Sequence, residues 1–208
     1  MNTLYQEYTY QNANLAHSHA YIYPHLIKLL RQQNSKTILD VGCGNGGMAK
    51  MLIREGFNVY GIDASKSGIS LAQQNYPERF YISDINNMEL PEPLKQITFD
   101  TVISTEVIEH VYSPRRFVMF CRDIVLRGKG SIMLSTPYHG YWKNLLLALT
   151  NKLDDHFTVL WEGGHIKFFS KRTIKQLLKE EGFSHITIYG CGRVPFLWKS
   201  MLVKAIIQ

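Results

Sequence analysis

The chain has 208 residues, 45% hydrophobic and 19% charged, a balance that excludes disordered and fibrous classes and suits one domain with a sizeable core. Its formal charge of +6 is dispersed, and the short clusters Arg115-Arg116, Arg127-Gly128-Lys129 and Lys171-Arg172 form no stripe for a nucleic-acid partner. No apolar run reaches the length of a membrane span, no secretion signal opens the chain, and three scattered cysteines make no disulfide framework, so the expected compartment is the cytoplasm.

The N-terminal stretch from Tyr5 to Tyr23 is rich in tyrosine, and a helix is expected from near His17 through Ile22, Leu26, Ile27 and Leu30, whose spacing marks one apolar face. Thr37-Ile38-Leu39-Asp40-Val41 reads as a strand that breaks into Gly42-Cys43-Gly44-Asn45-Gly46-Gly47 and then a helix from Met48 to Glu55. The glycines let a ligand lie against the backbone, and Gly42, Gly44 and Gly47 satisfy the general G-x-G-x-x-G pattern. Asp40 stands two residues before the first glycine, where it would repel a pyrophosphate and welcome a cationic ligand. Cys43 reads as a small residue packed behind the loop rather than as a nucleophile. A second strand, Phe57 to Ile62, ends at Asp63, where such folds place a carboxylate on ribose hydroxyls.

A helix capped by Ser65 and carrying Ile69, Leu71 and Ala72 comes next, then a strand over Arg79-Phe80-Tyr81-Ile82, Ser83-Asp84 and a loop bounded by Pro91 and Pro93. This alternation predicts a parallel sheet with helices on both faces. Phe99 to Ser104 is the fourth strand, and the residues after it should lie at the reaction centre, outside the carboxyl ends of the strands. A helix over about Ser113–Leu126 and a fifth strand, Ser131–Ser135, precede an aromatic- and histidine-rich insert from Tyr138 to Lys167. A helix over Lys171–Glu181 and two strands, His185–Tyr189 and Ser200–Ile207, complete the chain.

Asp40-x-Gly42-x-Gly44-x-Gly46, Asp63 and Ser83-Asp84 together resemble the S-adenosylmethionine-binding motifs of class I methyltransferases, over nearly the whole chain from about residue 20. The resemblance implies one Rossmann-like, doubly wound α/β domain over residues 1–208. Its seven-stranded sheet would be mostly parallel with an antiparallel C-terminal strand. It implies that Asp40, Gly42, Cys43, Gly44 and Gly46 face the methionine part of S-adenosylmethionine, that Asp63 with Ala64 binds the ribose, that Asp84 and Ile85 flank the adenine, and that Thr105 closes the site. It further implies an N-terminal lid over residues 1–33, with Tyr5, Tyr8, Tyr10 and Tyr21 above the cofactor; packing of these tyrosines on the core is the alternative.

Glu106-Val107-Ile108-Glu109-His110 places Glu106, Glu109 and His110 at i, i+3 and i+4, on one side if this turn is helical. Two carboxylates and an imidazole suit Mg²⁺, Mn²⁺, Fe²⁺ or Zn²⁺. The constellation resembles the Glu-x-x-Glu-His metal site of two families, the polyprenyl-catechol O-methyltransferases of ubiquinone synthesis and the small-RNA 3′-terminal 2′-O-methyltransferases. Both add a histidine after strand five. His165 matches best here, with His139 and His156 as competitors. Without a metal, His110 would be the general base with Glu109 fixing its tautomer; alternatively these polar residues only cap the turn. The expected partner is a small-molecule hydroxyl acceptor, phenol or polyprenyl-phenol first, a sugar or natural-product hydroxyl second and RNA third. Leu145-Leu146-Leu147-Ala148-Leu149 would line an apolar tunnel or touch a membrane surface. A nicotinamide-dependent oxidoreductase and a non-catalytic nucleoside-binding scaffold are the competing classes.

Overall fold

The computed structural model describes residues 9–12, 16–84, 87, 89–157 and 159–207. Seven strands form one sheet in the order β3-β2-β1-β4-β5-β7-β6, with β1 Thr37–Val41, β2 Asn58–Asp63, β3 Phe80–Ile82, β4 Thr101–Thr105, β5 Ser131–Pro137, β6 Phe183–Cys191 and β7 Ser200–Ile207. Strands β1 to β5 pair in parallel, and β7 runs antiparallel between β5 and β6.

Alternation of side chains along each strand explains the two covered faces. Ile38, Ile103, Met133 and Leu202 join one apolar cluster with Ile22, Leu26 and Leu30 of α1 (His19–Gln32), Met48 and Leu52 of α2 (Gly47–Arg54) and Ile69 of α3 (Lys66–Gln73). Their sequence neighbours Leu39, Val102, Leu134 and Val203 point the other way, to Phe117, Cys121 and Val125 of α4 (Pro114–Leu126) and to Ile174 and Leu178 of α7 (Lys171–Glu180). Local signals set the helix starts: Ser65 accepts from Gly68 N, and Ser170 with Thr173 forms a capping box.

Strand ends move by one or two residues, as where the strand expected over His185–Tyr189 spans Phe183–Cys191, and two departures bear on the site. The fourth strand begins at Thr101 rather than Phe99, because the Asp100 carboxylate turns aside to accept from Lys36 N (2.8 Å) and Thr37 N (2.9 Å). The insert contains two helices, α5 (Tyr141–Leu149) and α6 (Leu153–Phe157), which an interrupted alternation does not reveal. Strand order reverses between β1 and β4, so the crevice at their carboxyl ends is the switch point where ligands of such sheets bind. Gly42 and Glu106 follow those two ends.

Candidate active site

After β1 the chain turns at Gly42, whose φ of 78° lies in the left-handed region. A Cβ there would stand 2.5 Å from Val107 Cγ2, so the glycine loop and the turn after β4 touch with no room for a side chain. Gly42 N and Cys43 N both donate to Ile62 O, at 2.8 and 3.1 Å. Gly44 N donates to Asp63 Oδ2 and Ser65 N to Asp63 Oδ1, each at 2.8 Å. Asp63 therefore shapes the loop from the position expected to meet a ribose, and burial raises its pKa against the pull of these N–H donors.

Asp40 is different. It is 1% exposed and, among the described residues, neither of its carboxylate oxygens has a hydrogen-bond partner. Burial, then repulsion from Asp63, raises its pKa to about 8. A buried carboxylate without a donor is costly, and a cationic visitor supplies what it lacks. A cradle of loop backbone beside an unpaired acid thus fits a nucleoside with a positively charged tail and disfavours a pyrophosphate.

Of the remaining expected cofactor contacts, Cys43 is buried with its Sγ under Gly61, and burial pushes its thiol pKa well up, which suits packing and not nucleophilic chemistry. Gly46 ends the loop as the α2 N-cap with φ 73°. Ala64 and Asp84 are exposed beside the crevice, and Thr105 is the buried last residue of β4. Ile85 lies outside the described residues, as do Tyr5 and Tyr8 of the expected lid. Tyr10 is inside them: its backbone N donates to Ser67 Oγ (3.0 Å), and its phenol rests directly over Gly44. Tyr21 instead packs at the β6–β7 connection, its hydroxyl 3.5 Å from Ser200 Oγ.

The turn after β4 corrects the helical spacing expected of Glu106, Glu109 and His110. Glu106 has φ 55°, and the chain bends through a turn rather than entering a helix. Its carboxylate consequently accepts from Ser135 Oγ (2.8 Å) and Ser200 Oγ (3.0 Å) between β5 and β7. The structure keeps it near enough to Glu109 for their charges to interact, but outside the ligand group to which the other two belong. It brings His165 to them: one ligand atom each from Glu109, His110 and His165 lies within 4.8 Å of the others. This approach is made by backbone, since Ile166 N and Lys167 N donate to Glu109 O at 2.9 and 3.0 Å and draw the end of the insert against the turn.

Glu109 is 0% exposed, and among the described residues no well-formed hydrogen bond reaches its carboxylate oxygens; burial, then the nearby Glu106 charge, raises its pKa strongly against the pull of its own backbone N–H and the Thr136 hydroxyl. His110 Nδ1 lies 2.9 Å from Gly163 O and 3.2 Å from Gly164 O. A carbonyl can only accept, so Nδ1 carries the proton and Nε2 keeps a lone pair. Burial lowers the His110 pKa and brings that of His165 to about 4, where the charge that His110, His156 and Lys143 can carry adds to the lowering. Neutral imidazoles beside a buried, donor-starved carboxylate fit a divalent cation of the hard or borderline class.

A second histidine pair flanks this group. His139, just after β5, and His156, on α6, have ring centroids 5.3 Å apart, among Phe157 and Phe168. Beneath them Lys143 of α5 is buried, its Nζ donating to Tyr138 O (2.8 Å) and Lys199 O (3.4 Å); burial and Arg193 lower its pKa to about 8. Lys143 was not legible as a site residue, though a single lysine in the apolar run 141–149, four residues after a histidine, was the available signal.

The sequence family described as a methyltransferase domain matches residues 15–188. The chain is 32% identical over 167 residues to the mitochondrial ubiquinone biosynthesis O-methyltransferase of Bos taurus, covering 76% of this chain and 44% of that protein. It therefore spans less than half the length of that relative. Among solved structures, magnesium protoporphyrin IX methyltransferase from Synechocystis PCC 6803 with bound SAH has a TM-score of 0.64 and 18% identity, covering 90% of this chain and 82% of that one. The methyltransferase domain of a bacterial Hen1 has a TM-score of 0.64 and 18% identity, covering 88% and 96%. At such identities the structural likeness speaks to the fold alone.

Proposed function

The chain belongs to the S-adenosylmethionine-dependent methyltransferase-domain family, and from that premise we propose that it methylates a hydroxyl oxygen of a small aromatic acceptor with help from a divalent cation held by Glu109, His110 and His165. S-adenosylmethionine, when bound, supplies a sulfonium methyl open to direct displacement. The protein's task is then to place an oxygen lone pair in line with that carbon, and positioning of this kind supplies much of the rate. Asp40 receives the cationic end of the cofactor, the loop from Gly42 to Gly46 its chain, and Asp63 its ribose.

The observation that carries the metal-assisted reading is the wholly buried Glu109 carboxylate, which no well-formed hydrogen bond among the described residues satisfies, grouped with two imidazoles kept neutral by burial. A bound cation would lower the pKa of the acceptor hydroxyl and orient it. His110 Nε2, left with the ring's one lone pair by the Gly163 contact, would hold the cation; only without a cation would that lone pair be free to take the hydroxyl proton. Trp161, with its ring centroid 6.1 Å from those of both His110 and His165, gives a flat acceptor a surface to lie on.

Methyl transfer from labelled S-adenosylmethionine to catechol, with and without chelator, tests the reading together with Mn²⁺ binding followed by electron paramagnetic resonance. The expected result is saturable Mn²⁺ binding that Glu109→Gln weakens by about 10- to 100-fold, and transfer that chelator suppresses. Transfer indifferent to chelator, with no Mn²⁺ bound, would remove the metal and leave His110 as the base.

A further inference from the structure

The His139–His156 pair has no part in the chemistry above, yet its burial is hard to explain as packing. His139 is only 7% exposed and, among the described residues, neither ring nitrogen has a hydrogen-bond partner; His156 Nε2 is likewise buried and without a partner among them. Buried imidazole nitrogens are ordinarily satisfied by protein or water. The rings are held where they are by apolar neighbours: Phe157 stacks on His139 with 6.0 Å between centroids and an interplanar angle of 11°, and Phe168 meets it edge-on at 5.1 Å.

The charges felt by this pair have one sign. Lys143 acts on both His139 and His156, and Arg193 on His156, each opposing a further positive charge there. Lys143 gives its protons to two carbonyls, and among the described residues neither it nor Arg193 enters an ion pair. Glu106, the acid that acts on Lys143, is already committed to Ser135 and Ser200. The acids of α6, Asp154 and Asp155, are exposed to solvent. Two cations that no ion pair among the described residues neutralises, and two imidazoles able to donate, stand beside His165, the member of the metal group that feels His156 directly.

We propose that His139 and His156, backed by Lys143 and Arg193, form a subsite for a phosphate monoester carried by the methyl acceptor. A phosphate monoester brings about two negative charges and three acceptor oxygens near neutral pH, matching two cations and several N–H donors, whereas a carboxylate neutralises only one of the cations. This inference rests on the methyltransferase reading, since it places the phosphate end of the same acceptor whose hydroxyl lies at Glu109, His110 and His165.

Calorimetric titration of the full chain, loaded with S-adenosylhomocysteine in about 0.15 M salt, with phenyl phosphate, benzoate and phenol tests it. Phenyl phosphate should bind at least about tenfold tighter than phenol and tighter than benzoate. That preference should fall towards unity in His139→Phe and in His156→Phe. Arg193→Gln, at an exposed position where folding is not at stake, should weaken phenyl phosphate severalfold and leave phenol unchanged. Equal binding of the three probes, binding of none, a preference for benzoate, or an equal loss for all three in the variants would overturn the subsite. If S-adenosylhomocysteine itself does not bind, the methyltransferase reading fails instead; if it binds and the phosphate preference is absent, only the subsite falls.

Discussion

The two sides of the crevice hold buried charge in different ways. On the cofactor side, backbone does nearly all the work: a loop of left-handed glycines, two N–H donors on Asp63, and one unpaired acid, Asp40, at the end of a buried strand. On the acceptor side the polar atoms belong to side chains brought from distant segments, Glu109 and His110 after β4, His139 after β5, His156 on α6 and His165 beyond it. Buried polar groups left without partners are costly and rare in native structures, so each is a candidate ligand position. What differs is how each is maintained: the first by the sheet itself, the second by an insert pinned through contacts such as Ile166 N and Lys167 N to Glu109 O.

If the two sides are separable, damage to one should spare the other. Gly42→Val would force a branched side chain into φ 78° and into Val107; S-adenosylhomocysteine affinity should drop by about 100-fold or more, with Mn²⁺ affinity little changed. Simultaneous loss of both ligands would show that the loop supports the whole crevice. Glu109→Gln should reverse the pattern, weakening Mn²⁺ by about 10- to 100-fold while S-adenosylhomocysteine binds as before. Glu106→Gln is the control within the same turn. Its contacts with Ser135 and Ser200 should make it a stability variant, costing about 1 kcal/mol in denaturant unfolding, with Mn²⁺ binding intact.

The cofactor side should also carry its own pH signature. With its pKa raised to about 8, Asp40 holds a proton at neutral pH in the folded protein, whereas in the unfolded chain it has lost it. This group therefore contributes stability below about pH 4 that is progressively lost as pH rises towards 8. A cationic ligand needs the ionised form, so S-adenosylmethionine should bind about tenfold or more tightly at pH 8 than at pH 6, releasing a proton on binding near pH 7. Calorimetry in buffers of different ionisation enthalpy measures that proton, and Asp40→Asn should abolish it. The smallest effect is expected far from both sites: Ser170→Ala removes the α7 cap and should cost about 1 kcal/mol of unfolding free energy without altering either ligand.

The same contrast governs what could be read from the amino-acid order. The sheet was legible because neighbouring residues such as Ile38 and Leu39, or Met133 and Leu134, are both apolar and face opposite helix layers, and because Ser65 announces its helix. The C-terminal apolar run is the antiparallel strand between β5 and β6, as its β-branched content indicated. The insert was not legible. Helix α5 turns Lys143 inward and leaves Trp142, Leu146 and Leu149 exposed, the reverse of the pattern from which a surface helix is recognised. The separation of Glu106 from Glu109 depends on one positive φ at a glutamate, which residue spacing cannot reveal. The choice of His165 over His139 and His156 depends on two backbone hydrogen bonds spanning more than fifty residues.

The central claim is that the unpaired acid beside the glycine loop selects a positively charged nucleoside over a dinucleotide. Parallel titration of the full chain with S-adenosylmethionine and with NADH tests it most directly. The account predicts one saturable site for S-adenosylmethionine, weakened by Asp40→Asn, and no site for NADH. Binding of NADH with S-adenosylmethionine excluded would contradict it.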